Sequence, residues 1–590
     1  MKTKSLLVIS ICLILFSCTE KKQTDVNAHF KSMLQQYYNQ RMALYPLEAT
    51  TNGDNRFNDQ LPIDISNSYR EKLKSFYNSW IDSLKKMDEN SLDENNAMSF
   101  DILQWDLQTN LEGFDFPDHL MPINQFWSLP LTMAQLGSGS SNQPFKTVDD
   151  YDNFLKRINS FSIWCDTAIA NMRIGMNKKI VLPKILAERV IPQMFSMITT
   201  DASKSVFYMP VQNMPATFSD NDKKRLTELF TNAINEKISP SYEKLYHFFK
   251  DEYAPVCRSS SGIDSVNGGA AYYNHLIKYW TTTTLSADSI FNLGMKEVNR
   301  IHGEMMKVKD EVGFKGSLKD FFAYINSDKQ FFPFNSDSAV INGYKAIYET
   351  EKTQVEKLFT LVPKSQFEIR QTEAFRAASA SAEYQPGTPD GSRPGIFYVP
   401  IINAKEFNSV GMESLFLHEA IPGHHFQMSL QMENDSLPEF RKFIWYGAYG
   451  EGWALYCESL GKELGLYKDP FQYFGSLSEE MHRAIRLVVD VGMHTKGWTR
   501  EKAIEFSLEN EAESEQAITV EIERYMAIPG QALGYKIGQL TLLSMRQNAK
   551  EQLGEKFSIA KFHDEVLRYG CLPLKVLQNR MDTWIKKQHA

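Results

Sequence analysis

The stretch Gly411-Met-Glu-Ser-Leu-Phe-Leu-His-Glu-Ala-Ile-Pro-Gly-His-His-Phe-Gln427 carries three histidines and a glutamate within eight residues, behind an apolar lead-in of helical character. In zinc peptidases of the His-Glu-x-x-His kind, two imidazoles one helical turn apart bind the metal, and the glutamate acts as general base on metal-bound water. Here His418 and Glu419 begin the pattern, but the position four residues after His418 is Pro422. The stretch therefore has the residues of a metal site in an altered spacing.

The proline changes where the following histidines can lie. On a regular helix His424 would be about 120° from His418, and His425 nearly in phase but about 10 Å further along the axis, so neither could share a small ion with it. Pro422 has no N–H for the carbonyl of residue 418 and collides with that carbonyl, while Gly423 permits unusual backbone angles. We predict a helix that bulges here and returns one of the two histidines to His418. The alternative is a helix end, with the histidines near its last carbonyls.

The stretch from Leu417 to Gln427 resembles the signature of a bacterial family known as domain of unknown function 885 (DUF885), which is related to the thermolysin-like (gluzincin) metallopeptidases with a glutamate as third zinc ligand. The resemblance covers most of the chain and is strongest from about residue 366 onward. It implies a mainly α zincin-like fold with a small β-sheet, two helical lobes around a deep cleft, and bound zinc. Four further segments match the family pattern in order and spacing: Arg393-Pro-Gly-Ile-Phe-Tyr-Val399, Glu451-Gly-Trp-Ala-Leu-Tyr-Cys-Glu458, Arg486-Leu-Val-Val-Asp-Val-Gly-Met-His-Thr-Lys-Gly-Trp498 and Arg524-Tyr-Met-Ala-Ile-Pro-Gly-Gln-Ala-Leu-Gly-Tyr-Lys-Ile-Gly538.

A mononuclear zinc hydrolase needs three protein ligands and one open position for water. With the resemblance, His418 and His424 supply two ligands, and His425 is expected to support the site without binding the metal. Glu451 follows His424 by 27 residues, which lets the chain turn back and pack a second helix against the first. Its rival for the third position is Glu458, about two turns further along that helix. We expect Glu451 to bind zinc and Glu458 to orient a ligand histidine.

Further residues are candidates for catalysis. Glu419 is expected to take a proton from the metal-bound water and to return it to the leaving amine. Asp490 and His494 are four residues apart on one helical face, so the carboxylate can hold the imidazole for donation to an oxyanion, or the pair can simply brace two helices. Tyr525 and Tyr535 are additional donors of the kind that zinc peptidases use opposite the metal.

Substrate binding is assigned to two arginines and a tyrosine. Arg486 and Arg524 can each hold a substrate carboxylate with two hydrogen bonds, although structural ion pairs are the alternative. Tyr398 belongs to one of two short predicted strands, over residues 366–370 and 396–402, that precede the metal helix. The edge of such a small sheet can pair with an extended peptide.

The N-terminus has the features of a bacterial lipoprotein signal. A basic start is followed by an apolar run from Leu6 to Phe16 and by Leu15-Phe-Ser-Cys18, after which the chain becomes polar. We predict a signal peptide over residues 1–17, lipid on Cys18 and a polar tether over 18–27, with the protein facing the periplasm or the cell exterior. An ordinary secretory signal with an incidental cysteine is the alternative. No other apolar segment approaches the roughly 20 residues of a membrane span, so membrane attachment is expected through the lipid alone.

Amino-acid composition and net charge limit the class of protein and the kinds of partner. Of 590 residues, 43% are hydrophobic and 12% aromatic, which indicates a globular protein with a large core. A net charge of −8 and the lack of a basic run argue against a nucleic-acid partner. We expect a helical lobe over residues 28–365 and a metal-binding catalytic lobe over 366–590. The cysteines at 165, 257, 457 and 571 are too scattered to indicate a disulfide framework or a zinc ribbon.

Long helical patterns dominate the chain before residue 360, for example over 66–86, 95–111, 148–176 and 219–250. Glu479-Glu-Met-His482 contains the Glu-x-x-His pair of di-iron bundles but has no second copy, and no Gly-x-Ser-x-Gly motif is present. The sequence therefore predicts a zinc-dependent peptidase acting on short peptides. The alternative from another class is a non-catalytic helical lipoprotein that serves as a scaffold or binding protein.

Overall fold

The computed structural model describes residues 25–373, 381–387 and 394–589. The predicted signal, Cys18 and the tether up to residue 24 lie outside the described residues. Within them the fold is mainly α-helical with a small three-stranded sheet, as the sequence predicts. Among the described helices, none combines the length and the apolar character that crossing a membrane requires.

Several long helices in the first part of the chain begin at a side-chain cap. The clearest case precedes residue 148, where the Thr147 hydroxyl accepts from the Asp150 N–H and the Asp150 carboxylate accepts from the Thr147 N–H. The helix predicted over 219–250 is present but passes through two π-helical segments, at 234–238 and 248–253. The helices are α1 Val26–Leu44, α2 Pro46–Thr51, α3 Asn67–Leu84, α4 Glu94–Gly113, α5 Leu129–Gly137, α6 Val148–Lys178, α7 Lys184–Ser196, α8 Met209–Gln212, α9 Asp220–Ala233, α10 Ser239–His247, α11 Gly269–Thr281, α12 Ala287–Glu311, α13 Leu318–Ile325 and α14 Asp337–Leu358.

The sheet has the order β1-β3-β2, with β1 at Phe367–Gln371, β2 at Glu383–Gln385 and β3 at Gly395–Val399. β3 is buried along its whole length and pairs with β1 in parallel and with β2 in antiparallel orientation. The two predicted strands are confirmed as β1 and β3. β2 was not predicted, because three residues next to Pro386 give no alternating pattern. It forms one edge of the sheet.

Helices follow the sheet to the end of the described chain. They are α15 Met412–Glu419, α16 His424–Met432, α17 Glu439–Phe443, α18 Gly447–Glu458, α19 Pro470–Thr495, α20 Arg500–Asn510, α21 Glu515–Ala527, α22 Leu533–Leu553, α23 Ile559–Leu567 and α24 Leu574–His589. α18 and α22 approach closely because glycines meet between them. A Cβ atom on Gly452 would lie 2.5 Å from the Cα atom of Gly538. This contact holds the start of α18 against the body of the protein.

Residues from both ends of the chain share one hydrophobic core. Phe30 of α1 and Ile102 of α4 belong to the same buried cluster as Phe416 of α15 and Trp453 of α18. A second cluster draws only on residues between 61 and 254. The helices that carry the histidine stretch therefore pack on N-terminal elements as well as on their sequence neighbours. The predicted lobe boundary between residues 365 and 366 stays a prediction.

Candidate metal centre

The histidine stretch forms two helices with a break between them. α15 ends at Glu419, the Ile421–Pro422 peptide bond is cis, and α16 begins at His424. The Trp453 indole N–H donates to the carbonyl of Pro422 at 2.8 Å and ties the break to α18. The chain turns enough to bring the rings of His418 and His424 to a centroid distance of 4.9 Å. The predicted return of a histidine to His418 is thus made by His424, through a full break instead of a bulge.

Gly423 is required at the break by a close approach of backbone atoms. A Cβ atom at this position would lie 1.9 Å from the carbonyl oxygen of His418 and 2.3 Å from that of Leu417. No side chain fits in that space without displacing the end of α15. The residue that sequence analysis assigned to unusual backbone angles therefore also serves as the contact point between the two helices.

Glu451, the fifth residue of α18, completes a cluster of three metal-binding groups. Its Oε2 atom lies 3.6 Å from Nε2 of His418 and 3.4 Å from Nε2 of His424. One ligand atom from each residue falls within 4.8 Å of the others. Two imidazoles and one carboxylate, with further positions open, form the donor set of catalytic zinc sites. The residues present therefore fit a zinc ion.

Glu458 lies behind the cluster and orients His418. Its Oε1 atom is 2.7 Å from Nδ1 of His418, and its Oε2 atom accepts from the Ser414 hydroxyl at 2.7 Å. A carboxylate on Nδ1 leaves Nε2 facing Glu451, which is the arrangement that supports a metal-binding histidine. Burial alone would lower the pKa of His418, but hydrogen bonds with Glu451 and Glu458 raise it to about 10. The surroundings thus stabilise positive charge at the position where a divalent cation would supply it.

Glu419 follows His418 directly and lines the same cavity as the three candidate ligands. The cavity has a volume of about 560 Å³. Burial raises the pKa of the Glu419 carboxyl above its usual range, against the opposing effect of His424 and His418. A base whose pKa is shifted toward neutrality is suited to take up and release a proton during one reaction.

His425 points away from the cluster. Its Nδ1 atom lies 2.9 Å from the Tyr384 hydroxyl, and its ring packs 4.9 Å from that of Phe367 in β1. Burial lowers the pKa of His425 to about 4, so the ring is neutral. His425 joins α16 to the sheet, whereas Tyr384 of β2 lines the cavity.

Three other predicted residues also line this cavity, namely Tyr535, Arg486 and Arg524. The Arg486 guanidinium stacks on the Tyr535 ring at 4.6 Å. Cavity residues that sequence analysis missed, or weighed for another chemistry, include Tyr384, Met428, Trp445, His482, Arg483 and Glu521. Two of them carried a usable signal, since His482 is one turn before Arg486 and Glu521 is one turn before Arg524.

His494 and Asp490 do not line the cavity, which corrects their predicted role. The Nδ1 atom of His494 accepts from the Ile263 N–H at 3.0 Å, and its Nε2 atom lies 3.0 Å from the carbonyl oxygen of Tyr525. Burial lowers the pKa of His494 to about 3. Asp490 accepts from the Tyr273 hydroxyl at 2.5 Å and no hydrogen bond joins it to His494 among the described residues. Each residue braces buried helices through its own partners, so the bracing role holds without a hydrogen bond between the two side chains.

Tyr525 and Tyr398 are also absent from the cavity wall. The Tyr525 hydroxyl donates to Glu521 at 2.7 Å and accepts from Arg486 at 2.9 Å, so it supports residues that do line the cavity. Tyr398 lies in the central strand, where its register partner on the edge strand is Glu383. Neither tyrosine is among the residues that line the cavity with the candidate ligands, so their predicted roles at the substrate are not supported.

Comparison with known proteins places the chain among bacterial relatives. A sequence profile of the family described as "Bacterial protein of unknown function (DUF885)" matches residues 46–581. A crystal structure named "putative lipoprotein", from Colwellia psychrerythraea, superposes with a TM-score of 0.87 at 27% identity, over 95% of this chain and 100% of that chain. A protein of the same description and "of unknown function" from Shewanella oneidensis shares the fold, with a TM-score of 0.73 at 20% identity over 94% of this chain and 98% of that one. No curated protein matches the chain.

Proposed function

The chain belongs to the DUF885 family, and from this premise we propose that it is a zinc-dependent peptidase that hydrolyses short peptides. One observation carries the proposal. His418, His424 and Glu451 offer ligand atoms within 4.8 Å of one another, in the same cavity as a buried glutamate that directly follows the first histidine. These residue types match the ligand set and the general base of the gluzincin peptidases. The break at residues 420–423 brings His418 and Glu419 of α15 together with His424 of α16, and α18 supplies Glu451.

Peptide hydrolysis at this site needs Lewis-acid chemistry from a metal ion and proton transfer and hydrogen bonding from the protein. A zinc ion, when bound, supplies Lewis-acid chemistry that polarises a scissile carbonyl and lowers the pKa of water. Glu419 accepts a proton from the attacking water while the water oxygen bonds to the carbonyl carbon. The C–N bond then breaks, and Glu419 passes the proton to the leaving nitrogen. Tyr535, which lines the cavity, is the candidate donor to the developing oxyanion.

The sheet supports an extended peptide as substrate. β2 is an edge strand, and residues 381–384 line the cavity next to the candidate ligands. An extended chain that pairs with this edge would run past His418 with alternate side chains in the cavity, which is the zincin-like arrangement. A cavity of about 560 Å³ accommodates a few residues, so we infer short peptides as substrates and not folded proteins.

The test compares zinc-loaded protein with its Glu419→Gln variant on a synthetic peptide library, read by mass spectrometry. The variant should keep zinc, because Glu419 is not a ligand, while hydrolysis falls by at least about a hundredfold. A stably folded protein in the same mixture should stay intact. Unchanged cleavage by the variant with its metal in place would remove Glu419 as the base. Protein without any bound transition metal, and inactive on every peptide, would leave the helical binding lipoprotein as the better description.

Cell-envelope attachment is part of the proposal. The two solved relatives are named as lipoproteins, and the signal ending at Cys18 is of the lipoprotein kind. We infer that Cys18 carries the lipid and that the polar residues after it act as a tether. The peptidase would then act on peptides in the periplasm or at the cell surface.

A further inference from the structure

A carboxylate already joins two arginines in the cavity wall. Glu521 of α21 accepts from Arg486 Nη2 through Oε2 at 3.0 Å and from Arg524 Nη1 through Oε1 at 3.2 Å. Arg486 comes from α19 and Arg524 from α21, so the pair is held by two helices. The two guanidinium groups are therefore spaced to share a single carboxylate, and their planar donor sets suit that geometry.

Both arginines keep hydrogen-bond donors that the protein does not use. Arg486 Nη1 and Arg524 Nε are buried and have no hydrogen-bond partner among the described residues. Arg486 is 5% exposed and stacks on Tyr535, while its Nε donates to the Tyr525 hydroxyl. Leaving charged donors buried without an acceptor is unfavourable, so this pair keeps hydrogen-bonding capacity that the described residues do not use.

Further charged side chains surround Arg486 and Arg524. Burial alone would lower the pKa of His482, but Glu511 raises it to about 9, so this ring is charged near neutral pH. His482 lies 2.5 Å from Glu511 and 3.2 Å from Arg486. Arg486, Arg524 and His482 thus lie next to the two carboxylates of Glu511 and Glu521, while Glu513 also lines the cavity. Immediately around Glu521 the cations outnumber the carboxylates, which favours an anionic group at the arginine pair.

The arginine pair is close to the candidate metal ligands. Tyr535 lines the cavity with His418, His424 and Glu451, and its ring lies against Arg486. Burial raises the pKa of the Tyr535 hydroxyl and Glu451 raises it further, so Tyr535 lies near a candidate ligand as well as against Arg486. A ligand that contacts both the arginine pair and the candidate metal ligands would therefore pass along Tyr535 within one cavity.

We propose that Arg486 and Arg524 bind the C-terminal carboxylate of the substrate, and that the protein is a carboxypeptidase. This inference rests on the proposed peptidase function. Water adds to the amide near the C-terminus, and the C–N bond breaks. Both water protons end on the released amine, which leaves as an ammonium group, and the shortened peptide gains a new C-terminal carboxylate. That carboxylate makes the product a substrate for the next round.

Near the arginine pair, the cavity wall is less suited to bind the free N-terminus of a peptide than its C-terminus. An ammonium group needs a carboxylate that is not already neutralised, yet Glu521 is held by two arginines and Glu511 by His482. Glu419 and Glu451 belong to the candidate metal site. The carboxylates next to the arginine pair are therefore already paired, and this part of the wall favours the negative end of a peptide.

The test measures binding apart from cleavage. Zinc-loaded Glu419→Gln protein is titrated in a calorimeter with a short N-acetylated peptide that ends in a free carboxylate, and with the same peptide ending in an amide. The acid should bind at least about tenfold more tightly, as expected for a charge-assisted pair of hydrogen bonds. Adding Arg524→Gln, a partly exposed position, should remove most of that difference. Adding Arg483→Gln should preserve it, because Arg483 lines the cavity but pairs with Glu479.

The outcomes separate the two proposals. Equal affinity for acid and amide, or no measurable binding of either, would overturn the carboxylate site. Equal cleavage of acid and amide peptides at internal bonds by the unmodified protein would also overturn it, while the peptidase function would stand. An acid preference that Arg524→Gln abolishes, in a protein that cleaves no peptide, would support the carboxylate site and remove the peptidase proposal.

Discussion

His424 and His425 are adjacent in the sequence, yet one faces the candidate metal and the other faces the sheet. The break ends at Gly423, so His424 is the first residue of α16 and its Nε2 turns toward Glu451. His425 comes about 100° later on the new helix and meets Tyr384 instead. The division of roles between two identical side chains is therefore set by where α16 begins.

This division gives a prediction for metal content. His424→Ala should reduce zinc from about one ion per chain to a small fraction, since two protein ligands seldom retain the ion, whereas His425→Ala should keep it. Elemental analysis after gel filtration measures both variants. Thermal unfolding in the presence of a chelator serves as the control that each variant is folded. Zinc loss in His425→Ala alone would reverse the assignment of the two histidines.

Most residues of the candidate metal site could be predicted from the sequence, because they lie in short motifs typical of metal sites. His418 and Glu419 are recognisable from type and spacing, whereas the choice of Glu451 and Glu458 also rests on the family resemblance. The structure brings these four residues together. The role of His494, by contrast, could not be predicted from the sequence. A four-residue spacing from Asp490 shows that two side chains share a helical face, but it does not show which way the face points. That direction depends on packing with Ile263 and Tyr273, more than 200 residues away in the chain.

At the scale of elements, the break between α15 and α16 is the feature that makes the site. Its geometry depends on Gly423, where a Cβ atom would meet the His418 carbonyl oxygen at 1.9 Å. Its position is fixed from outside by Trp453, which donates to the Pro422 carbonyl. Two backbone contacts, at Gly423 and at the Pro422 carbonyl, thus help to align the candidate metal ligands, which come from three helices.

Gly423→Ala should therefore lower both stability and zinc affinity. Forcing a methyl group into an occupied space costs typically about 1–3 kcal/mol, and here the displaced atom is the carbonyl of a ligand residue. Gly303→Ala in α12 is a matched control, because nothing lies within 4 Å of its added Cβ atom. That variant should be unchanged or more stable by up to about 1 kcal/mol. Thermal unfolding and competition with a zinc chelator measure the two effects, and a Gly423→Ala protein indistinguishable from Gly303→Ala would contradict this account.

The elements that sequence reasoning missed are short or depend on distant partners. β2 has three residues and exists because β3 offers it a free edge. Helices of more than fifteen residues, such as α4 and α6, are predictable within a few residues because their apolar pattern repeats over many turns. The edge strand that would meet a substrate is therefore the element least visible in the sequence.

On the scale of the whole molecule, the N-terminal half supports the cavity wall from behind. Arg189 of α7 pairs with Glu523 of α21 at 2.8 Å, and Gln125 donates to the carbonyl of Glu523 at 3.0 Å. Phe126 lies under the Arg524 guanidinium at 4.9 Å. These contacts position α21, which carries Glu521 and Arg524, so residues far from the histidine stretch in the sequence support the wall of the cavity.

The position of this unit in the cell is the last prediction. The apolar run from Leu6 to Phe16 and the short motif before Cys18 indicate lipid attachment, and the described chain begins at Asp25, so only a few polar residues separate the anchor from α1. If Cys18 carries the lipid, attachment should depend on that residue. Cys18→Ser should move the protein from the membrane fraction to the soluble fraction and abolish labelling by a radioactive fatty acid. Cys12→Ala, a change within the signal itself, should leave both unchanged. A Cys18→Ser protein that remains in the membrane fraction would require a different anchor, and the orientation of the cavity relative to the membrane would have to be argued from that anchor instead.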